Sequence, residues 1–324
     1  MKKILLLLLP LLACGPGDME HPKEQALAGS ILPRITPEQG FPLLVHLPAG
    51  NKIELDEAPK RVLPANAGIA DFLSLILLPE QVAALPKLTR EYSRIRGLQS
   101  GPWGEVPIFE RFGAEEILSC RPDLVLTNDW QSPESNQILR DNGVALISLP
   151  TPQNWDQVLQ QLSWMGRLCG REAQAQEVRA QLAARRMALE QHELYGSGLS
   201  VLSYSNFGGG GFSSGSGTTM NILLGLAGFE NAASRAGLKG DCTLNFEQLI
   251  TINPDFLLLS QDEDGNAPAA QLLSARTELA GLKALSEHNL TFLHKALFSS
   301  TSTELIEAAE ALQRDVQRAL ATSE

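Results

Sequence analysis

Two stretches of the chain repeat one pattern, and that repeat limits the folds open to it. Glu115-Glu116-Ile117-Leu118-Ser119-Cys120-Arg121-Pro122-Asp123-Leu124-Val125-Leu126 is matched by Glu247-Gln248-Leu249-Ile250-Thr251-Ile252-Asn253-Pro254-Asp255-Phe256-Leu257-Leu258. Each begins with Glu, continues as a short helix, breaks at Pro-Asp and resumes as an apolar run. Proline stops a helix and pushes the residue before it, Arg121 or Asn253, toward extended geometry. An apolar run without polar alternation suits a strand covered on both faces, as in a parallel sheet. One such unit in each half predicts an α/β chain built from two similar layers.

Other segments extend the pattern. Residues 61–64 read as a first strand, followed by a loop at 65–68 and a helix over 71–78. A helix ending near Asn142-Gly143, a good C-cap, leads into a strand at 144–149. The second half offers strands at 199–204 and 291–293 and a helix at 221–227. The last helix carries Leu305, Ala309, Leu312 and Val316 on one apolar face. Residues 43–55 read as a hairpin about Ala49-Gly50-Asn51. Between the halves, residues 171–193 are rich in Ala, Gln, Glu and Arg, strong helix formers. At 1.5 Å per residue that helix runs ~33 Å, which makes it either a stiff connector between two lobes or a surface helix of one larger domain.

The chain has 324 residues, 44% hydrophobic and 19% charged, enough for about two domains with real cores. The net charge of -11 and the lack of any Lys/Arg cluster exclude nucleic acid as a partner. Four cysteines occur, Cys14, Cys120, Cys169 and Cys242, with no CxxC spacing, which argues against a zinc cluster. An exported setting permits one disulfide among the last three, and buried free thiols are the plainer reading. The five histidines are scattered, with no pair at i, i+4 spacing.

The front of the chain addresses its compartment. Met1-Lys2-Lys3 is basic, residues 4–12 are apolar, and Leu11-Leu12-Ala13-Cys14 follows, the layout of a signal peptide over 1–13. The apolar run is too short to span a bilayer, which needs ~20 residues. Leu-Leu-Ala-Cys resembles the bacterial lipobox, which implies acylation of Cys14 as the new N-terminus and a membrane held only by that anchor. Ordinary secretory cleavage is the alternative. Residues 14–40 read as a flexible tether.

In open α/β layers, ligands sit beyond the carboxyl ends of the strands. Those ends carry Asn66, Trp130 and Thr151 in the first half and Tyr204, Asn206, Phe207, Gln261 and Ser300 in the second. Aromatic and amide side chains suit a large, planar or partly apolar ligand. Trp130 follows directly on a buried strand, where it either meets ligand or packs the core edge. The loop 90–103 adds Tyr92, Arg94 and Trp103. An Arg there pairs with an anionic chelate or simply stays solvated. Tyr is an axial ligand type for haem iron, although no supporting motif surrounds Tyr92.

A glycine-rich run, Gly208-Gly209-Gly210-Gly211-Phe212-Ser213-Ser214-Gly215-Ser216-Gly217-Thr218, admits two readings. One is a mobile cleft loop whose amides and Phe207 or Phe212 meet the ligand. The other takes Gly211 to Gly215 as the Gly-x-Ser-x-Gly elbow of an exported serine hydrolase, with an Asp and a His following in hydrolase order. Glycines between Tyr204 and Ser213 weaken the elbow, and a phosphate loop lacks its Lys.

The order of motifs carries a family resemblance: lipobox, tether, hairpin, Ala58-Pro59-Lys60-Arg61-Val62, Glu-helix-Pro-Asp-strand, long helix, Gly-rich loop, Gly217-Thr218-Thr219-Met220-Asn221-Ile222-Leu223, Leu226-Ala227-Gly228-Phe229-Glu230-Asn231-Ala232, and the second Glu-helix-Pro-Asp-strand. This resembles the class III periplasmic binding proteins of ABC importers, which bind ferric siderophores, cobalamin and haem. The resemblance covers nearly all of the chain after about residue 41. It implies two Rossmann-like αβ lobes, 41–168 and 195–324, joined by one long α-helix within 169–194, with a ligand cleft between the lobes. It implies a monomeric, non-enzymatic receptor with no cofactor of its own, whose ligand is a metal chelate: ferric siderophore first, cobalamin next. Its partners would be an ABC permease dimer and, through it, an ATPase. In the family, one Glu on each lobe, seven positions before the Pro, docks an Arg-lined socket on the permease; Glu115 and Glu247 hold that place. Each Glu is also a favourable charge at a helix N-terminus. A haem receptor or a free-metal receptor of the same fold is the neighbouring alternative, the latter disfavoured by the scattered histidines.

Overall fold

A computed structural model describes residues 31–206 and 210–322. The expected signal peptide, the candidate anchor Cys14, the tether up to residue 30 and Phe207 lie outside the described residues. The described chain from Ile31 onward is one compact unit that contains two lobes.

The first lobe opens with a small antiparallel sheet of β1 (Arg34–Thr36), β2 (Leu43–His46) and β3 (Lys52–Leu55). β1 lies inside the stretch expected to be tether up to residue 40, so ordered chain begins earlier than composition suggested; Ile35 faces Val45 in the pairing. The central layer is β4 (Val62–Pro64), then α1 (Ala67–Ile76), β5 (Leu85–Pro86), α2 (Thr89–Tyr92), β6 (Ile108–Phe109), α3 (Ala114–Ser119), β7 (Leu124–Asn128), α4 (Pro133–Asp141), β8 (Ala145–Leu149) and α5 (Trp155–Leu168). β4, β7 and β8 form a parallel sheet in that order. α1 starts at Ala67 rather than at 71, because Asn66 caps it by accepting a hydrogen bond from the Ile69 amide at 3.1 Å.

The polar connector is α6 (Glu172–Glu190), four residues shorter than 171–193 and ~28 Å long. It packs on α5, where Gly166 stands opposite Ala175 with no room for a Cβ.

The second lobe runs β9 (Ser200–Ser203), β10 (Ser205–Asn206), β11 (Gly211–Ser214), α7 (Thr219–Leu226), β12 (Glu230–Asn231), α8 (Ala232–Arg235), β13 (Asp241–Leu244), α9 (Phe246–Ile252), β14 (Phe256–Gln261), α10 (Pro268–Ser274), α11 (Lys283–Ser286), β15 (Leu290–His294), α12 (Lys295–Phe298) and α13 (Leu305–Thr322). β12, β9, β14 and β15 form a parallel sheet in that order, and β10, β11 and β13 an antiparallel one. Leu305, Ala309, Leu312 and Val316 of α13 are all buried.

The repeat has a structural cause. Asp123 accepts the backbone amides of Lys60, at 2.6 Å, and Arg61, at 3.0 Å, where β4 begins. Asp255 accepts the amide and hydroxyl of Ser200, at 2.8 and 2.7 Å, where β9 begins. Each Asp therefore ties the start of its own strand to the start of the neighbouring one. The residue before each Pro is not extended, as expected from proline sterics, but left-handed: Arg121 at φ 49° and Asn253 at φ 43°. There the helix ends, and the Asn253 amide turns back to the Leu249 carbonyl, so C-capping overrides the local preference.

Candidate functional site

A cavity of about 630 Å³ opens between the two lobes. From the first lobe it takes Trp130, just beyond β7, and Thr151, just beyond β8. From the second it takes Ser203 at the end of β9, Ser205 at the start of β10, Phe212 to Ser214 on β11, the first turn of α7 with Thr218 to Met220, Gly240 and Asp241 at the start of β13, and Phe298, Ser299 and Thr301 after β15. These positions lie at or near the carboxyl ends of both parallel sheets, where the strands stop and loops are free to vary. A cavity of about 450 Å³ beside β1 to β3 and one of about 220 Å³ along α7 and α6 do not combine both sets of strand ends.

The wall is rich in hydroxyls, mostly apolar in surface and nearly uncharged. It holds three large aromatic side chains, nine Ser or Thr residues and one ionisable group, Asp241. Among the described residues it includes no Arg, Lys, His or Tyr. Thr218 caps α7: its hydroxyl accepts from the Asn221 amide and donates to the Gly215 carbonyl.

Sequence-derived candidates divide in this geometry. Trp130, 61% exposed, and Phe212 stand together on the cavity wall. Asn66 is occupied as the cap of α1, and its amide donates to Asn128 Oδ1 at 2.6 Å; Asn128 donates in turn to the Leu149 carbonyl at 2.9 Å. That chain of amides braces the carboxyl ends of β4, β7 and β8 rather than facing the cavity. Tyr204 is fully buried beneath Gly211, and Asn206 donates to its hydroxyl at 3.4 Å. Trp103 packs inside the first lobe beside Leu85 and Ile95. Gln261, half-buried at the end of β14, is not on the wall, and Ser300 closes a turn by accepting from the Ser302 amide. Ser213 sits in mid-strand, paired across to Cys242, and not on the strand-to-helix turn that a nucleophile elbow needs. Asp241, Ser214 and the first turn of α7 were missed. Their signals were a Thr N-cap ahead of 219 and an alternation of polar and apolar residues over Asp241 to Leu244.

The candidates Arg94 and Tyr92 of the 90–103 loop are engaged elsewhere. Arg94 pairs with Glu304 at 3.3 Å and donates to Ser74 Oγ at 3.1 Å. Tyr92 lies under the Lys295 ammonium, 5.3 Å from the ring centre, and Lys295 pairs with Glu91 at 2.8 Å. These contacts tie the first lobe to the segment that leaves the cavity. Thr301 lines the cavity and abuts Gly68 so closely that no Cβ fits there. The next residue, Ser302, donates to buried Asp71 Oδ2 at 2.9 Å, and the Arg94 amide donates to Oδ1, also at 2.9 Å; the Ser93 hydroxyl donates there too. Burial pushes the Asp71 carboxyl up to about 6, against the pull of the Ser93 and Ser302 hydroxyls. Burial, reinforced by the charge of Asp71, pushes Glu304 up to about 7 despite Arg94.

Glu115 and Glu247 are both exposed in the first turns of α3 and α9, the helices that lead into β7 and β14. Neither makes an ion pair among the described residues. Among those residues there is also no group of three or more His, Cys, Asp or Glu placed to hold a metal ion, and no helix long and apolar enough to cross a membrane. Cys120, Cys169 and Cys242 are free thiols, and burial pushes Cys169 up to about 12.

No curated protein sequence matches the chain. Solved structures share the fold at low identity. A periplasmic binding protein from Veillonella parvula superposes with a TM-score of 0.72 at 17% identity, covering 83% of this chain and 95% of that one. An ABC-type Fe3+-hydroxamate transport protein from Saccharomonospora viridis gives 0.67 at 19%, covering 87% and 99%. A periplasmic heme-binding protein of Vibrio cholerae gives 0.65 at 19%, covering 78% and 97%. The family model described as periplasmic binding protein matches residues 99–297, more than half of the chain, spanning both Pro-Asp units and the connector between them. Two αβ lobes, one connecting helix and a cavity at the facing strand ends agree with that match, and the chain belongs to the periplasmic binding protein family.

Proposed function

We propose that this chain is the substrate-binding lipoprotein of an ABC importer, exported, anchored at Cys14, and specialised for a metal chelate that it hands to the permease dimer. The observation that carries the reading is the cavity of about 630 Å³ built between the strand ends of two lobes, within the usual range for a small-molecule site. Ferric siderophore is the first choice of ligand and cobalamin the second. Haem is less favoured, because the described wall offers no Tyr or His to ligate iron; a chelate that arrives with its metal fully coordinated needs none. Glu115 and Glu247, exposed at matching places on the two lobes, are the proposed contacts with cationic sockets on the permease, and the ATPase acts through that permease.

The test is quenching of tryptophan fluorescence, which Trp130 makes sensitive to the cavity, during titration with ferric trihydroxamates, a ferric tricatecholate, cobalamin and haem. Saturable quenching by a siderophore or cobalamin, lost or weakened at least tenfold in Trp130→Ala, is the expected result. If none of these ligands binds, and protein taken from its native host carries no chelate by native mass spectrometry, the reading fails.

A further inference from the structure

We infer that Asp241 selects for ligands bearing a positive charge, so that the preferred cargo is a chelate with a free ammonium group and not an anionic one. The inference rests on the chelate-binding reading and adds the sign of the charge being read.

Three observations converge. First, Asp241 is the sole ionisable group on the described wall of the cavity. The three undescribed residues between β10 and β11 are Phe207, Gly208 and Gly209, none of them ionisable. An anionic chelate would therefore enter a cavity with no cation to meet it, in a chain whose net charge is already -11. Second, the carboxylate is oriented but not neutralised. On paired strands, Ser214 lies opposite Asp241, and its hydroxyl donates to Oδ1 at 2.5 Å. Oδ2 has no partner among the described residues. Lys239, two positions earlier and exposed, forms no ion pair with it, and Arg94 and Lys295 are held by Glu304 and Glu91. Third, the rest of the wall supplies hydroxyls and aromatic faces. Those groups serve the neutral oxygens and apolar arms of a chelate. They leave charge recognition to one residue.

The carboxylate sits at an exposed position, so the ammonium contact contributes modestly and is weakened by salt. Its effect is discrimination between ligands of similar shape.

The experiment compares two probes that differ only in charge, the ferric complex of a linear trihydroxamate with a free terminal amine and the same complex N-acetylated. A trianionic ferric tricatecholate is the third probe. The parent protein is expected to bind the amine form at least fivefold tighter than the acetylated form, with the ratio shrinking as salt rises, and to bind the tricatecholate weakest. In Asp241→Asn the affinity for the amine form falls until the ratio is about one, and an unchanged circular dichroism spectrum and melting temperature show that the variant is folded. Equal affinity for the two hydroxamates in the parent, equal weakening of both in the variant, or preference for the tricatecholate overturns the inference while leaving chelate binding in place. Failure of all three probes to bind overturns this inference; the reading beneath it falls only if cobalamin and haem also fail to bind and the native protein carries no chelate.

Discussion

Arg121 occupies a left-handed backbone position at φ 49°, where a Cβ crowds the chain, whereas its counterpart in the other lobe is Asn253, a residue that tolerates that region. Arg121→Asn is expected to raise stability by about 0.5–1 kcal/mol, read from the denaturation midpoint; a fall would show that the Arg61 hydrogen bonds to the Cys120 and Arg121 carbonyls depend on the arginine. Asp255 gives a second residue-level prediction. Burial works against its charge, yet the Lys283 ammonium at 2.5 Å and the hydroxyl and amide of Ser200 hold its carboxyl at about 2. Its folded value lies below its ordinary 3.8, so its stabilisation is complete above about pH 4 and is lost as pH falls toward 2. Asp255→Asn should lower stability by about 1–3 kcal/mol at pH 7 and flatten the acid limb between pH 4 and 2 in thermal melts. The Pro-Asp pairs were legible because both copies stand in the primary sequence. The left-handed turn before them was not, since it follows from how each helix ends and not from the identity of the next residue.

At the scale of elements, periodicity and punctuation located most strands and helices. The apolar runs after Pro122 and Pro254 became central strands because both faces of each sheet are covered. What was lost is instructive. The β11 and β13 pairing places Asp241 on the cavity wall, and its strands are short, one of them glycine-led, so they read as loop. Arg94 looked available because Glu304, its partner, lies 210 positions away and is brought there only by the tertiary fold. Trp130 was recoverable because the rule used, what lies just past the carboxyl end of a buried strand, depends on topology alone. The contact of α5 with α6 is equally tight and equally unreadable. Gly166 has the Ala175 methyl where its own Cβ would stand, with the Arg171 carbonyl beside it. Gly166→Ala is expected to force these helices apart and to cost about 1–3 kcal/mol, measured by chemical denaturation; an unchanged midpoint would mean that the connector is loosely seated.

The whole molecule is held across its midline by groups from distant parts of the chain: Asp71 and Arg94 from one side, Ser302 and Glu304 from the other, with Arg185 of α6 bonded to Glu310 of α13 through two contacts of 2.8 Å. Arg94, Arg185, Glu307 and Asp71 all act on Glu304. Both buried carboxyls, Asp71 and Glu304, have folded values above their ordinary ones, so the folded chain holds those protons more tightly than the unfolded chain. Their contribution is complete below about pH 4 and is lost as pH rises through about 6 to 7. Glu304→Gln should therefore reduce the decline in melting temperature between pH 5 and 8; an unchanged slope would show that these groups do not govern it. Gln313 adds a further tie, donating from α13 to the Leu189 and Ala227 carbonyls. With the two lobes stapled at this many points, thermal agitation alone is expected to part them little. On the importer reading proposed above, release of the cargo then calls for mechanical work from outside the chain.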